Sequence, residues 1–128
     1  MIENNIRITT NKENHNDITT SELMNIPDSF FTQIYVDNVL GFEEKDFLNI
    51  VCSKLRINGK IRISGIDILD VCVKILHENY PYSNEYLSKT KSFYTVAELK
   101  NFFEEKGWKI EFMNVNNSVF NIEATRKV

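Results

Sequence analysis

Apolar and polar positions follow two rhythms along this chain, a period of two near its ends and a helical period in its middle. Ile6-Arg7-Ile8-Thr9 alternates and predicts a short strand. Asn11 to Thr20 is polar, asparagine-rich and without period, so it reads as a loop. Ser21 to Met24 suits a single helical turn, and Ile26-Pro27-Asp28-Ser29 is turn chemistry. Phe30 to Leu40 is dense in β-branched and aromatic residues, which predicts a strand over Gln33 to Asp37. From Glu43 to Leu55, Phe47, Leu48, Val51, Cys52 and Leu55 share one helical face. Asn58-Gly59 reads as the helix stop, because these types tolerate the left-handed conformation of a C-cap.

Lys60 to Ser64 predicts the next strand, with Ile61 and Ile63 on one face, and Ile68 to Glu78 the next helix. Tyr80 to Tyr94 has no period and reads as a long connection, a length more often seen in lids and binding segments. Thr95-Val96-Ala97-Glu98 has the form of a capping box. The helix it opens runs to Lys106, buries Val96, Leu99, Phe102 and Phe103, and stops at Gly107. Lys109 to Asn114 and Ser118 to Thr125 then predict a hairpin turning at Asn116-Asn117. Strands and helices that alternate in this way predict an α/β fold with a mainly parallel sheet and a C-terminal antiparallel hairpin.

The 128 residues suffice for one domain and one ordinary core. The formal net charge is −3 and no basic face stands out, which argues against nucleic-acid binding. The two cysteines, Cys52 and Cys72, fall in apolar helical patterns and form no CxxC or zinc spacing, so no metal site is expected. The N-terminal MIENNIRITT lacks the apolar run of a signal peptide, and no run nears the ~20 apolar residues of a membrane span. No membrane association and a reducing cytoplasm are the expectations.

Four segments carry a resemblance. IPDSFFTQIYVDNVLGF, the helix after it, LRINGKIRISGID and FYTVAELKNFFEEKGWKIEFMNV together resemble the C-terminal half of class I S-adenosylmethionine-dependent methyltransferases. Ile26 to Phe30 match the family's motif before its fourth strand, and Asn38-Val39-Leu40 matches the segment after it in part. Leu55, Gly59, Ile61 and Ile63 match the entry to the fifth strand. Thr95, Glu98, Leu99, Phe102, Phe103, Gly107 and Trp108 match the following helix. The resemblance covers Ile26 to Arg126 and implies a Rossmann-like fold, reduced relative to the family.

It also implies a cofactor, S-adenosyl-L-methionine, and methyl transfer to a small molecule or glycan. Asp17-Ile18 resembles the acidic–apolar pair that touches the adenine ring. Asp37 and Asn38 fall at a strand end where family members place substrate-side groups; hydrogen bonding to nearby backbone is the other reading. Asp67 is either a general base toward an acceptor or the N-cap of the next helix, and the cap is preferred. Tyr82 and Tyr86, in a cluster with Tyr80, Phe93 and Tyr94, suit stacking on a flat ligand, a partner surface or cover for the sheet edge. His15 and His77 are isolated, and Lys54, Arg56, Lys60 and Arg62 read as solvated charge.

The sequence departs from the family in its first part. No glycine precedes Gly41, so the glycine-rich cofactor loop has no counterpart, and neither does the acid that holds the ribose. Relative to the family the sheet would be two strands and two helices short. A strand from its interior would become an edge, which predicts a homodimer or a protein partner completing the sheet. Two functions remain from different classes: a small methyltransferase, and an inactive methyltransferase-like domain that binds or scaffolds.

Overall fold

The computed structural model describes residues 5–10, 12–13, 15–77 and 89–127. Six strands form one sheet: β1 (Asn5–Ile8), β2 (Asp17–Ile18), β3 (Phe31–Asp37), β4 (Leu55–Ile66), β5 (Lys109–Asn116) and β6 (Val119–Thr125). The helices include α1 (Thr20–Leu23), α2 (Asp46–Ser53), α3 (Ile68–Leu76) and α4 (Val96–Glu105), and a 3-10 turn spans Leu40–Phe42. The strand order is β2-β1-β3-β4-β6-β5. The first four in that order run parallel, β6 runs antiparallel to β4, and β5 antiparallel to β6. This is the mixed α/β sheet that the alternation of elements predicts.

The two faces of the sheet differ in kind. Ile8, Val36, Ile63 and Ile122 sit side by side across four strands, and Ile6, Ile34, Ile61 and Ala124 form the neighbouring row. Both rows join one core with Leu23 of α1, Phe47, Leu48 and Val51 of α2, and Leu99 and Phe103 of α4. The opposite face carries Arg7, Tyr35, Arg62 and Glu123 in one row and Gln33, Lys60 and Thr125 in the next. A shallow concavity of about 470 Å³ on that face is lined, among the described residues, by strand residues and Asn16. Parallel sheets covered on both faces read as continuous apolar runs, whereas these strands alternate, as a half-solvated sheet requires.

Several boundaries differ from those read in the sequence. Helix α2 stops at Ser53, because the carbonyls of Ser53 and Lys54 accept the N–H groups of Ser29, Phe30 and Phe31 at 2.9–3.0 Å. The chain enters β4 directly at Leu55. Asn58-Gly59 is therefore no helix cap. It lies inside β4, in an irregularity that sets Leu55 opposite Phe31 and Lys60 opposite Gln33. Asn58 has φ 68°, which asparagine tolerates better than most residues. Gly59 is needed for space: a Cβ there would stand 2.8 Å from Leu55 Cδ1 and 2.9 Å from the carbonyl oxygens of Arg56 and Thr32.

The predicted loop over Asn11 to Thr20 contains β2, which pairs with Arg7 and Ile8, and the first residue of α1. The hairpin turns one residue later than expected, at Asn117-Ser118, whose φ values are 51° and 66°. Two successive left-handed residues are the signature of a type I′ turn. Only half of the expected capping box forms at α4: Thr95 Oγ1 accepts the Glu98 N–H at 3.1 Å, while the Glu98 carboxylate meets Lys45 Nζ at 2.7 Å. Helix α4 ends before Gly107, whose φ is 75°.

Candidate functional site

In an open α/β sheet, ligands bind outside the carboxyl ends of the strands, where the order of connection reverses. Here that point lies between β1 and β3, since the chain leaves β1 toward β2 on one side and later builds β4 on the other. Arg7 crosses it. Its Nε and Nη2 donate to Asp37 Oδ2 at 3.0 and 2.7 Å, and its Nη1 reaches Asp17 Oδ2 at 3.5 Å. Asp17 Oδ2 also accepts the Glu13 N–H at 2.9 Å. The Asp17 side chain is 2% exposed, against 28% for Arg7 and 29% for Asp37. The one guanidinium bridges both carboxylates of the crevice and offsets one of their two charges, and the hydrogen bond to Asp37 raises its own pKa further.

The structure brings Asp17 and Asp37 together through this shared partner. Ile18 lies opposite Ile8 and packs against the core. The turn after β1 contains no glycine, and Thr9 at its start is buried. Nothing local in the sequence marks Arg7 as a site residue. Alternation placed it on the face opposite Ile6 and Ile8, but its partners lie 10 and 30 residues away.

A second feature sits between the ends of β3 and β4. Asn38, at φ 55°, donates its N–H to the Ser64 carbonyl at 2.9 Å and lines a cavity of roughly 20 Å³ with Leu40, Ser92, Tyr94 and Phe120. That volume is about one water molecule. Ser92 Oγ donates to the Glu43 carbonyl at 2.6 Å. The Tyr94 hydroxyl is buried and makes no well-formed hydrogen bond; burial raises its pKa, and the nearby Glu98 charge adds to the shift. Gly65 forms part of the wall, and a Cβ there would stand 2.9 Å from Phe120 Cζ.

Asp67 is 4% exposed, and both of its oxygens are engaged: Oδ1 accepts the Asp70 N–H at 3.1 Å and Oδ2 the Val96 N–H at 2.9 Å. It caps α3, as preferred from the sequence, and also holds the first residue of α4. Tyr82 and Tyr86 lie outside the described residues. Phe93 is half exposed and Tyr94 buried. His15 and His77 are exposed. Of the basic run, Lys54 departs from the solvated reading: it is 8% exposed and donates to the Ile26 carbonyl at 2.7 Å and to Asp28 Oδ1 at 3.1 Å. Among the described residues no three metal-ligating side chains cluster, and no helix is long and apolar enough to cross a membrane.

No protein-family model matches the chain, and no curated protein matches it in sequence. Solved structures do match. An S-adenosylmethionine-dependent methyltransferase from Mesorhizobium loti aligns at 16% identity with TM-score 0.61, over 86% of this chain and 68% of its own. A possible histamine N-methyltransferase from Thermotoga maritima aligns at 16% identity with TM-score 0.60, over 87% of this chain and 63% of its own. Magnesium protoporphyrin IX methyltransferase from Synechocystis, with bound SAH, aligns at 12% identity with TM-score 0.57, over 87% of this chain and 51% of its own. The chain therefore has the fold of class I S-adenosylmethionine-dependent methyltransferases. It spans 51–68% of the length of these three structures.

Proposed function

We propose that this chain is a single methyltransferase-like domain that serves in binding or scaffolding and does not transfer methyl groups from S-adenosylmethionine. The observation that carries this reading is the pairing of Arg7 with both Asp17 and Asp37. S-adenosylmethionine is itself a cation at its sulfonium. In this crevice both carboxylates are already engaged by a guanidinium, which places a like charge beside that cation although it does not offset both acids. The turn after β1 has no glycine to let backbone approach a ligand closely. The residues present do not fit the cofactor.

On this reading Asp17 and Ile18 hold the edge strand β2, Asp37 anchors Arg7, and Asp67 ties two helices together. The cavity beside Asn38 is large enough for a water on the Tyr94 hydroxyl. A second reading, methyl transfer to a small molecule or glycan, is favoured by the likeness of fold and by the polar groups of Asn38, Ser92 and Tyr94 at the strand ends. Nuclear magnetic resonance separates the two. Titration of the 15N-labelled protein with S-adenosylmethionine is expected to leave the amides of Asp17, Ile18, Asp37 and Asn38 unmoved. Saturable shifts at those four would favour the enzymatic reading.

A further inference from the structure

The two edges of the sheet are not equivalent. On one side β2 covers Arg7 and Ile8 of β1. On the other, β5 is the last strand, eight residues long, and among the described residues nothing pairs with its outer side. Natural edge strands are blunted by charge, by bulges or by proline. The first half of β5 has such devices: Lys109, and Glu111 at an irregularity that skips it in the pairing with β6. The second half, Phe112 to Asn116, has none. It is uncharged, pairs regularly with β6, and exposes Met113 at 42% and Val115 at 39%.

The order of side chains in that half is self-complementary. Met113 lies opposite Ile122 and Val115 opposite Phe120, so both belong to the face that holds the core, at its open margin. Phe112, Asn114 and Asn116 belong to the other face. An antiparallel pairing of two copies about a two-fold axis at Asn114 sets Met113 of one copy against Val115 of the other, twice, and continues the core across the axis. It sets the two Asn114 amides against each other and Phe112 against Asn116. Shifting the axis to Met113 would place Glu111 against Val115, a charge against an apolar side chain.

We infer that Phe112–Asn116 of β5 is a docking edge for a second copy of this chain, paired antiparallel about Asn114 in an isologous contact. The partner expected from the sequence is thus a homodimer, formed at the β5 edge and not at the β1 side. The inference is independent of whether the crevice binds a cofactor. A five-residue edge is a small interface, so the dimer dissociates on the order of micromolar.

Sedimentation velocity from about 1 µM to about 1 mM protein reads the association. A shift from monomer to dimer is expected across that range. Val115→Lys is expected to hold the protein monomeric with its melting transition unchanged, since the side chain is already part exposed. In a Cys72→Ser background, Asn114→Cys is expected to cross-link under oxidised glutathione. Directly opposed residues in antiparallel strands are about 4.5–5.5 Å apart at Cα, within disulfide range. Val115→Cys is expected to stay uncross-linked. A monomer at every concentration, a dimer that survives Val115→Lys, or faster cross-linking through Val115→Cys than through Asn114→Cys would each overturn the inference.

Discussion

Asp67 Oδ2 accepts the backbone N–H of Val96 at 2.9 Å, while the other oxygen of the same carboxylate caps α3 through Asp70. One buried side chain thus satisfies donors at the start of two helices that are far apart in sequence. Truncation would leave both N–H groups without their acceptor. Asp67→Ala is expected to lower unfolding free energy by about 2 kcal/mol, the sum expected for a lost cap and a lost charge-assisted bond. Asp67→Asn retains one acceptor and is expected to cost less. Urea denaturation of the three proteins side by side gives the comparison.

Arg7 links Asp17 and Asp37. Arg7→Met removes a counter-charge from the Asp17 carboxylate, which is 2% exposed and accepts the Glu13 N–H. A destabilisation of about 1–3 kcal/mol is expected. Asp37→Asn is expected to cost less, because that side chain is 29% exposed and water can replace part of the interaction. Equal effects of the two substitutions would show that the Asp17 arm contributes nothing.

The cysteines differ in reactivity. Burial pushes the Cys52 thiol up to about 12, so almost no thiolate forms at neutral pH. Cys72 is exposed on α3. Iodoacetamide on the folded protein is expected to modify Cys72 alone, and both residues only in denaturant. Mass spectrometry of peptic fragments reads this directly, and native labelling at Cys52 would mean that α2 opens readily.

Stability is expected to fall in acid. Hydrogen bonds made only in the folded state hold three carboxyls below their ordinary values: Glu22 chiefly by Lys12, Asp28 by Lys54 and Glu111 by Thr125. The unfolded chain, with ordinary values of 4.5 for Glu and 3.8 for Asp, binds these protons first as pH falls. Their stabilisation is therefore complete above about 5 and is lost as pH drops through the lowered folded values. Denaturation midpoints are expected to be level from about pH 7 to about pH 5 and to fall below about 4.5, with Asp28→Asn flattening the acid limb.

Gly59→Ala tests the irregularity in β4. The new methyl group would meet two backbone oxygens at 2.9 Å, which cannot retreat as a flexible side chain would. A cost of about 1–3 kcal/mol is expected, read as a drop in melting temperature.

Much of this architecture was legible because it is written in local periods. Ile61 and Ile63, Ile6 and Ile8, and the Leu99–Phe103 face each declare an element and a buried side. The errors fell where distant segments decide. Asn58-Gly59 looks like a helix stop, yet Ser29, Phe30 and Phe31 cap α2 four residues earlier and draw Leu55 into the sheet. The basic run beginning at Lys54 looks solvated, but the turn at Ile26 and Asp28 folds over that amine. Asp17 and Asp37 each resemble a ligand contact when read singly. That one arginine joins them depends on strand order, and no local pattern carries strand order.

On the proposed reading, a chain with the methyltransferase fold does not bind S-adenosylmethionine. Isothermal titration calorimetry with S-adenosylmethionine and with S-adenosylhomocysteine tests it most directly. The expected result is no saturable heat up to about 1 mM of either compound. Saturable binding of either at micromolar concentration would contradict the claim and restore the enzymatic reading of the crevice between β1 and β3.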